Sequence, residues 1–476
     1  MSSYQLPRAT PESVGVSSSD LLAFVDSVEE HAPGLHSLMV LRHGSVIAEG
    51  WWKPYQRENV HLLYSLSKSF TSTAIGFAVR EGLLDLDDSV ISFFPEETPA
   101  EPSEKLKSMK VRHLLSMSCG HAKDDMSEMY ARDDGNWVRG FLAREVEFEP
   151  GTHFLYNSSA SYVLSAIVQH VTGETTLDYL RLRLLDPIGI GEATWESSPQ
   201  GINMGGWGMS VTTDAIARFG QLYLQKGVWN GHQIIPEEWV ADATRIHVSN
   251  GSNPESDWEQ GYGFQFWRCR HNCYRGDGAF GQFCIVVPEK DMVVAITAAV
   301  ASMQDVLNLV WNHIVEPAQS EPHPTNYGAH LSMLQKLGDL ALAGPEGVYE
   351  SPVVRSVSGR TFDRIEEGKG IQSCRFDFTS EGCELTLFNN QKEFIFKAGF
   401  SEWIHGVSSL ELPDQSIAAR AAWVSDDEFE IKILDVKSPS GTTIRSHFDG
   451  DTVEVKITLQ YRFGPPDGPT FKGKAR

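Results

Sequence analysis

Two strand-turn-strand patterns set far apart in the chain constrain the fold more than any other feature. Residues 36–52, HSLMVLRHGSVIAEGWW, read as two β-rich runs around a His-Gly-Ser turn. Residues 283–300, FCIVVPEKDMVVAITAAV, repeat that form around Pro-Glu-Lys-Asp. Between them lie helical stretches such as 160–173, ASYVLSAIVQHVTG, and 213–227, TDAIARFGQLYLQKG, apolar at three-to-four spacing and closed by glycine. Antiparallel hairpins at both ends with helices inside predict an α/β body: an antiparallel sheet flanked by helices, plus a helical lobe.

At 476 residues the chain exceeds one ordinary domain. The proline-punctuated, aperiodic stretch EPAQSEPHPTN at 316–326 marks the break. The expected organisation is a first domain over 1–318, a linker over 319–327 and an accessory β-rich domain over 328–476. After one more helix, that last part alternates in short strand-like pieces: CELTLFNN, EFIFKAGF, EFEIKILDV and TVEVKITLQYRF. Its aromatics, including Phe394, Phe396, Trp403 and Trp423, read as core.

Charge and cysteine content exclude several classes. With 63 acidic against 40 basic residues the net charge is −23, which repels nucleic acid and anionic membrane surfaces. The opening MSSYQLPRATPESVGVSSSDLL lacks a basic segment followed by an apolar one, and no apolar run is long enough to span a bilayer. A cytoplasmic protein without nucleic-acid or membrane partners is expected. Six cysteines are too few for a disulfide scaffold in a chain of this size. Cys269, His271 and Cys273 are spaced more tightly than zinc patterns, so neither a metal nor a cofactor is expected.

One short motif carries chemistry. In LLYSLSKSFTSTAIG, residues 62–76, Ser65 stands three positions before Lys68, and Lys68 is the only lysine so placed. On a helix those side chains share a face, so the amine lies beside the hydroxyl at the end where free backbone N–H groups stabilise an oxyanion. Burial against the apolar stretch would lower the amine from its ordinary value of about 10.4 into the range of a base. The other reading of the same residues is an N-capping serine followed by a solvated lysine.

With these motifs the chain resembles the serine β-lactamase and penicillin-binding-protein-like superfamily, in its class C-like branch of esterases, amidases and D-amino-acid peptidases, over residues 10–315. Ser65 and Lys68 match the family's Ser-x-x-Lys motif. In EPGTHFLYNSSASYVLSAIV, Tyr156 matches the tyrosine that shuttles a proton to the leaving group, its phenolate favoured by a neighbouring ammonium. Ser158 stands where the family usually has asparagine, and Asn157 comes one place earlier. The stretch 204–240, MGGWGMSVTTDAIARFGQLYLQKGVWNGHQIIPEEWV, resembles the family's glycine-rich turn, helix and tryptophan segment. In YRGDGAFGQF, Gly276, Asp277 and Gly278 occupy the third motif, where relatives carry Lys-Thr-Gly or His-x-Gly.

The resemblance implies a β-lactamase-like fold and an acyl-enzyme on Ser65, with Lys68 and Tyr156 as catalytic partners. The N–H groups of Ser65 and Ala279 form the implied oxyanion hole, and Asn157, Ser158 and residues 276–278 line the substrate. The substrate would be a small ester, amide or peptide such as a D-amino-acid derivative. The missing cation in the third motif argues against binding a β-lactam carboxylate; Arg275 is either a replacement charge or a solvated side chain. The acidic loop 121–137, with Asp124 and Asp125, either attracts an amine-bearing substrate or simply solvates the surface. A β-lactamase and a catalytically silent binding protein of the same fold are the alternatives. Oligomeric state is not legible.

Overall fold

The computed structural model describes residues 5–124, 126–130, 132–366, 370–389, 392–409 and 414–476. It divides into two compact units. The first comprises Met1–Gly50, Val60–Ala298 and Ser302–Gly338; the second comprises Trp51–Asn59, Ala299–Ala301 and Asp339–Arg476.

The first unit is built on a sheet that has six strands among the described residues: β1 (Leu35–Arg42), β2 (Ser45–Trp51), β3 (Trp267–Arg268), β4 (Tyr274–Gly278), β5 (Gln282–Val287) and β6 (Met292–Ala298), in the order β2-β1-β6-β5-β4-β3. The two predicted hairpins are β1–β2 and β5–β6. They become neighbours because β1 pairs antiparallel with β6, Leu38 opposite Ile296 and Val40 opposite Val294. Every residue of β1, β5 and β6 is buried, which is why these strands read as continuous apolar runs rather than alternating ones.

Five helices of this unit matter below: α1 (Ser18–His31), α2 (Ser67–Arg80), α3 (Ser158–Thr172), α4 (Thr213–Leu224) and α5 (Tyr327–Asp339). Helix α2 is unusual in being buried from Ser67 to Ala78 although it carries several hydroxyls. A buried hydroxyl is tolerated only with a partner, and each of four finds one. Ser67 donates to the Tyr64 carbonyl at 2.6 Å, Ser69 to the Gln265 carbonyl at 2.9 Å and Thr71 to the Gly205 carbonyl at 2.7 Å, while Thr73 meets the Tyr223 hydroxyl at 2.7 Å. These bonds fix α2 among its neighbours, and the Phe70 ring stacks on Phe219 of α4 with centroids 4.1 Å apart. Helix α4 lies close on the sheet at Gly220, where a Cβ would come within 2.7 Å of Val293 and 2.9 Å of the Cys284 sulfur.

The second unit is an all-β barrel, as expected. Among the described residues its sheet has ten strands between Thr361 and Ala475, and its two ends approach where Gly399 pairs with Arg420. Phe396 and Trp423 belong to the barrel core. Trp403 donates its indole N–H to the Leu342 carbonyl at 3.2 Å.

The expected boundary needs correction. The stretch 319–327 is not a free linker: the Gln319 N–H donates to the Gly15 carbonyl at 2.8 Å and the His323 N–H to the Glu12 carbonyl at 2.8 Å. Helix α5 then stays with the first unit, burying Met333 and Leu337 and pairing Lys336 with Glu29 at 2.6 Å and Asp26 at 3.2 Å. The units part at Gly338 and Asp339, and the short segment Trp51–Asn59 joins the barrel, where the Tyr55 hydroxyl donates to the Asp435 and Ser438 carbonyls. Prolines marked the chain's exit from the sheet, not the domain border.

Because Phe70 anchors the buried helix, Phe70→Ala is expected to destabilise the first unit by about 3–5 kcal/mol through the cavity it leaves. The measurement is the urea midpoint of unfolding followed by tryptophan fluorescence.

Candidate active site

Ser65 lies in the short 3₁₀ turn Tyr64–Leu66 that runs directly into α2. The residue before it, Tyr64, has φ of 45°, a conformation that costs a non-glycine residue energy and recurs at functional sites. The N-cap of α2 is Leu66, with no side-chain cap, so Ser65 does not serve as a capping serine. Nor is Lys68 solvated, being only 1 % exposed. Its amine makes three bonds: to Ser65 Oγ at 2.9 Å, to Ser158 Oγ at 3.1 Å and to the Gly206 carbonyl at 2.8 Å. Burial lowers its pKa from 10.5 to about 7, against the opposing pull of the Asp124 and Asp277 carboxylates.

The second motif is divided between two tasks. Tyr156 is hydrogen-bonded to Ser65. Its ring stacks on Trp267 of β3 at 5.1 Å and lies 4.7 Å from the Lys68 amine, which sits over the ring face. Burial, reinforced by Asp277, pushes the phenol well above its ordinary value near 10. Phenolate formation near neutral pH, as the resemblance implied, is therefore not favoured, and Tyr156 is held as a neutral hydroxyl. Ser158 opens α3 and meets Lys68 directly, filling the place left by the family's asparagine. Asn157 is different: fully buried, it caps α3 by accepting from the Ala160 N–H at 3.1 Å and reaches Cys119 and His121 with its amide nitrogen. Its expected place on the substrate is corrected to a structural one.

The third motif lies against the nucleophile. A Cβ on Gly278 of β4 would overlap the Leu63 carbonyl and lie 3.1 Å from the Ser65 nitrogen, and one on Gly276 would lie 2.6 Å from Ser69 Oγ. Only glycine lets the strand come this near, which brings the chain at Ala279 towards the Ser65 N–H. Between the two glycines, Asp277 is 6 % exposed. Arg275 is not solvated but fully buried, giving Asp277 Oδ2 its Nε at 2.9 Å and its Nη2 at 2.8 Å. Its Nη1 donates to the Asp257 carbonyl at 2.7 Å, and its guanidinium lies 4.4 Å over the Trp258 ring. Burial raises the pKa of Asp277, while Arg275 and Lys68 pull it down.

Sequence reading left three participants without a role. The Gly206 carbonyl belongs to the glycine-rich stretch 204–240 but, as a backbone atom, has no residue-type signal. Trp267 stands in a two-residue strand too short for periodicity. Asp124 accepts from the Ser158 N–H at 2.9 Å and from the Ser159 hydroxyl at 3.2 Å, a specific task within the acidic loop; Asp125 lies outside the described residues. Cys269 and Cys273 are buried free thiols, and among the described residues no group of three or more His, Cys, Asp or Glu could hold a metal ion. No helix among them is long and apolar enough to cross a membrane.

The residue pattern of the Beta-lactamase family matches residues 22–309. The chain belongs to the β-lactamase family. This match carries the Ser65, Tyr156 and Gly276 motifs within one stretch. The 6-aminohexanoate-dimer hydrolase of Paenarthrobacter ureafaciens is 26 % identical over 283 residues, covering 54 % of this chain and 71 % of that protein. Among solved structures, EstCE1, a hydrolase with promiscuous acyltransferase activity, superposes with a TM-score of 0.53 at 19 % identity, over 62 % of this chain and 99 % of its own. The octameric penicillin-binding protein homologue from Pyrococcus abyssi has a TM-score of 0.50 at 16 % identity and covers 95 % of this chain and 99 % of its own. Both likenesses concern the fold, and the family places the chain among β-lactamase-like serine hydrolases.

The close approach of β4 to Ser65 makes Gly278 sensitive to a single carbon. Gly278→Ala is expected to lower stability by about 1–3 kcal/mol, the usual cost of overpacking, read as a lower urea midpoint. The exposed Gly82→Ala, with no atom near its added carbon, is the control for backbone strain alone, since its φ is also positive.

Proposed function

We propose that this chain is a serine hydrolase that forms an acyl-enzyme on Ser65 and cleaves a small ester or amide, D-amino-acid derivatives included. The observation that carries the reading is the buried Lys68 amine, 2.9 Å from the Ser65 hydroxyl and brought to about pKa 7 by burial. A lysine at that value is substantially neutral at neutral pH and can take a proton.

In the first half-reaction the neutral Lys68 amine removes the Ser65 proton as Oγ attacks the substrate carbonyl, and Lys68 becomes an ammonium. The oxyanion is received by the N–H groups of Ser65 and Ala279. Collapse breaks the bond to the leaving alcohol or amine. The neutral Tyr156 hydroxyl passes its proton to that group and regains one from the Lys68 ammonium. In the second half-reaction Lys68 activates a water, which attacks the acyl carbon, and the acid departs while Ser65 regains its proton. Ser158 and the Gly206 carbonyl hold the amine in line throughout. The Paenarthrobacter ureafaciens relative is named for the hydrolysis of a dimeric amide, and EstCE1 for hydrolysis with acyl transfer, which agrees with ester and amide chemistry. A β-lactamase is disfavoured because residues 276–278 carry no accessible cation. A silent binding protein would have no use for a desolvated lysine, whose burial is costly.

The expected pH dependence follows from the lysine. Its active form is the unprotonated one, so kcat/KM towards p-nitrophenyl acetate rises with pH through about 7 and then levels. Lys68→Arg, which stays protonated, lowers kcat/KM by about 10²–10⁴-fold, the usual contribution of a general base. Ser65→Ala brings turnover to the uncatalysed background. Steady-state kinetics between pH 5.5 and 9 check all three, and full activity in Ser65→Ala would end the reading.

A further inference from the structure

We propose that Asp277 makes the Ser65 site select against substrates that carry a carboxylate on the leaving-group side of the scissile bond. The inference rests on the hydrolase reading above and concerns which substrates that site accepts.

The argument begins with position. Asp277 lies between two glycines whose α-carbons press against the nucleophile's own segment, Gly276 at Ser69 and Gly278 at Ser65. A group entering the cleft along this strand therefore meets the one side chain that the stretch 276–278 offers. That side chain is an acid.

The nearby cation does not reverse the sign. Arg275 is fully buried, and two of its nitrogens are given to Asp277 Oδ2 at 2.9 and 2.8 Å while a third binds the Asp257 carbonyl and the Cys269 sulfur at 2.7 and 3.0 Å. A guanidinium so placed is spent on the protein and has no donor left for a ligand. The pair is neutral as a whole, but its negative end faces the site. At Tyr156 the influence of Asp277 exceeds the opposing influence of Arg275, and at Lys68 Asp277 acts with no counterpart from Arg275. Asp124, bonded to the Ser158 N–H, adds a second carboxylate within electrostatic range of Lys68. A substrate carboxylate beside residues 276–278 would meet like charge and lose its water without gaining a donor.

The test uses one acetyl ester in two forms, 3-acetoxybenzoate and its methyl ester, which differ only in the charge on the leaving phenol. With the full-length protein, kcat/KM for the methyl ester should exceed that for the carboxylate by about 100-fold, since like-charge juxtaposition costs several kcal/mol and each 1.4 kcal/mol is tenfold. In Asp277→Asn the ratio should fall by about tenfold or more, and in Asp277→Glu it should persist. A measurement on the parent protein needs no variant: raising salt from 50 to about 500 mM should narrow the ratio by screening the approach. A ratio near one in the parent, with Ser65→Ala inactive on both esters, overturns the selectivity and leaves the nucleophile standing. An unchanged ratio in Asp277→Asn removes Asp277 as its cause. Turnover of both esters by Ser65→Ala would overturn the two readings together.

Discussion

The site depends on one desolvated amine. Lys68 lies inside a helix that is buried on all sides, and its nitrogen is held by two hydroxyls and a backbone carbonyl rather than by water. None of the groups in direct contact carries a full charge. Such neutral partners satisfy the nitrogen's donors without supplying the negative charge that would keep it protonated, so burial prevails and the amine is poised near pKa 7. The surrounding structure reads as support for that balance. The hydroxyls of Ser67, Ser69, Thr71 and Thr73 hold the helix in place, and the Gly205–Gly206 turn brings a carbonyl to the amine.

The carboxylates modulate this balance without taking it over. Asp124 and Asp277 both pull the Lys68 pKa upward, but neither is bonded to it, and Asp277 spends its charge on Arg275. Had either acid met the amine directly, an ion pair would have replaced a base. Tyr156 belongs to the same logic. Its ring, stacked on Trp267, presents a face to the amine and keeps water from it, while its hydroxyl reaches Ser65 as a neutral donor. In the proposed mechanism one buried neighbourhood thus produces a base from lysine and a proton carrier from tyrosine.

Much of the fold was legible because it is written in local periodicity. The two hairpins, α3, α4 and several barrel strands appear where the apolar runs and closing glycines placed them. The pairing of β1 with β6 was hidden, since it joins segments far apart in the chain. The domain border was misplaced for a related reason: prolines in 316–326 report local backbone preference, whereas the bonds from Gln319 and His323 to Gly15 and Glu12 are long-range. At the site, Ser65, Lys68 and Tyr156 came from motif and order and lie together. Asn157 could not be separated from Ser158 by type alone, because an asparagine suits both a substrate contact and a helix cap. Arg275 looked solvated until its burial against Trp258 and Asp277 was seen, and no single sequence encodes such a partner choice.

The central claim is that a buried lysine activates one serine. The most direct measurement is the intact mass of the purified protein after exposure to a fluorophosphonate, with peptide mapping and Ser65→Ala treated alongside. The account predicts a single adduct on Ser65 in the parent protein, forming faster as pH rises through about 7, and none in Ser65→Ala. An adduct on another residue, or no adduct together with no cleavage of a small acetyl ester, would contradict it.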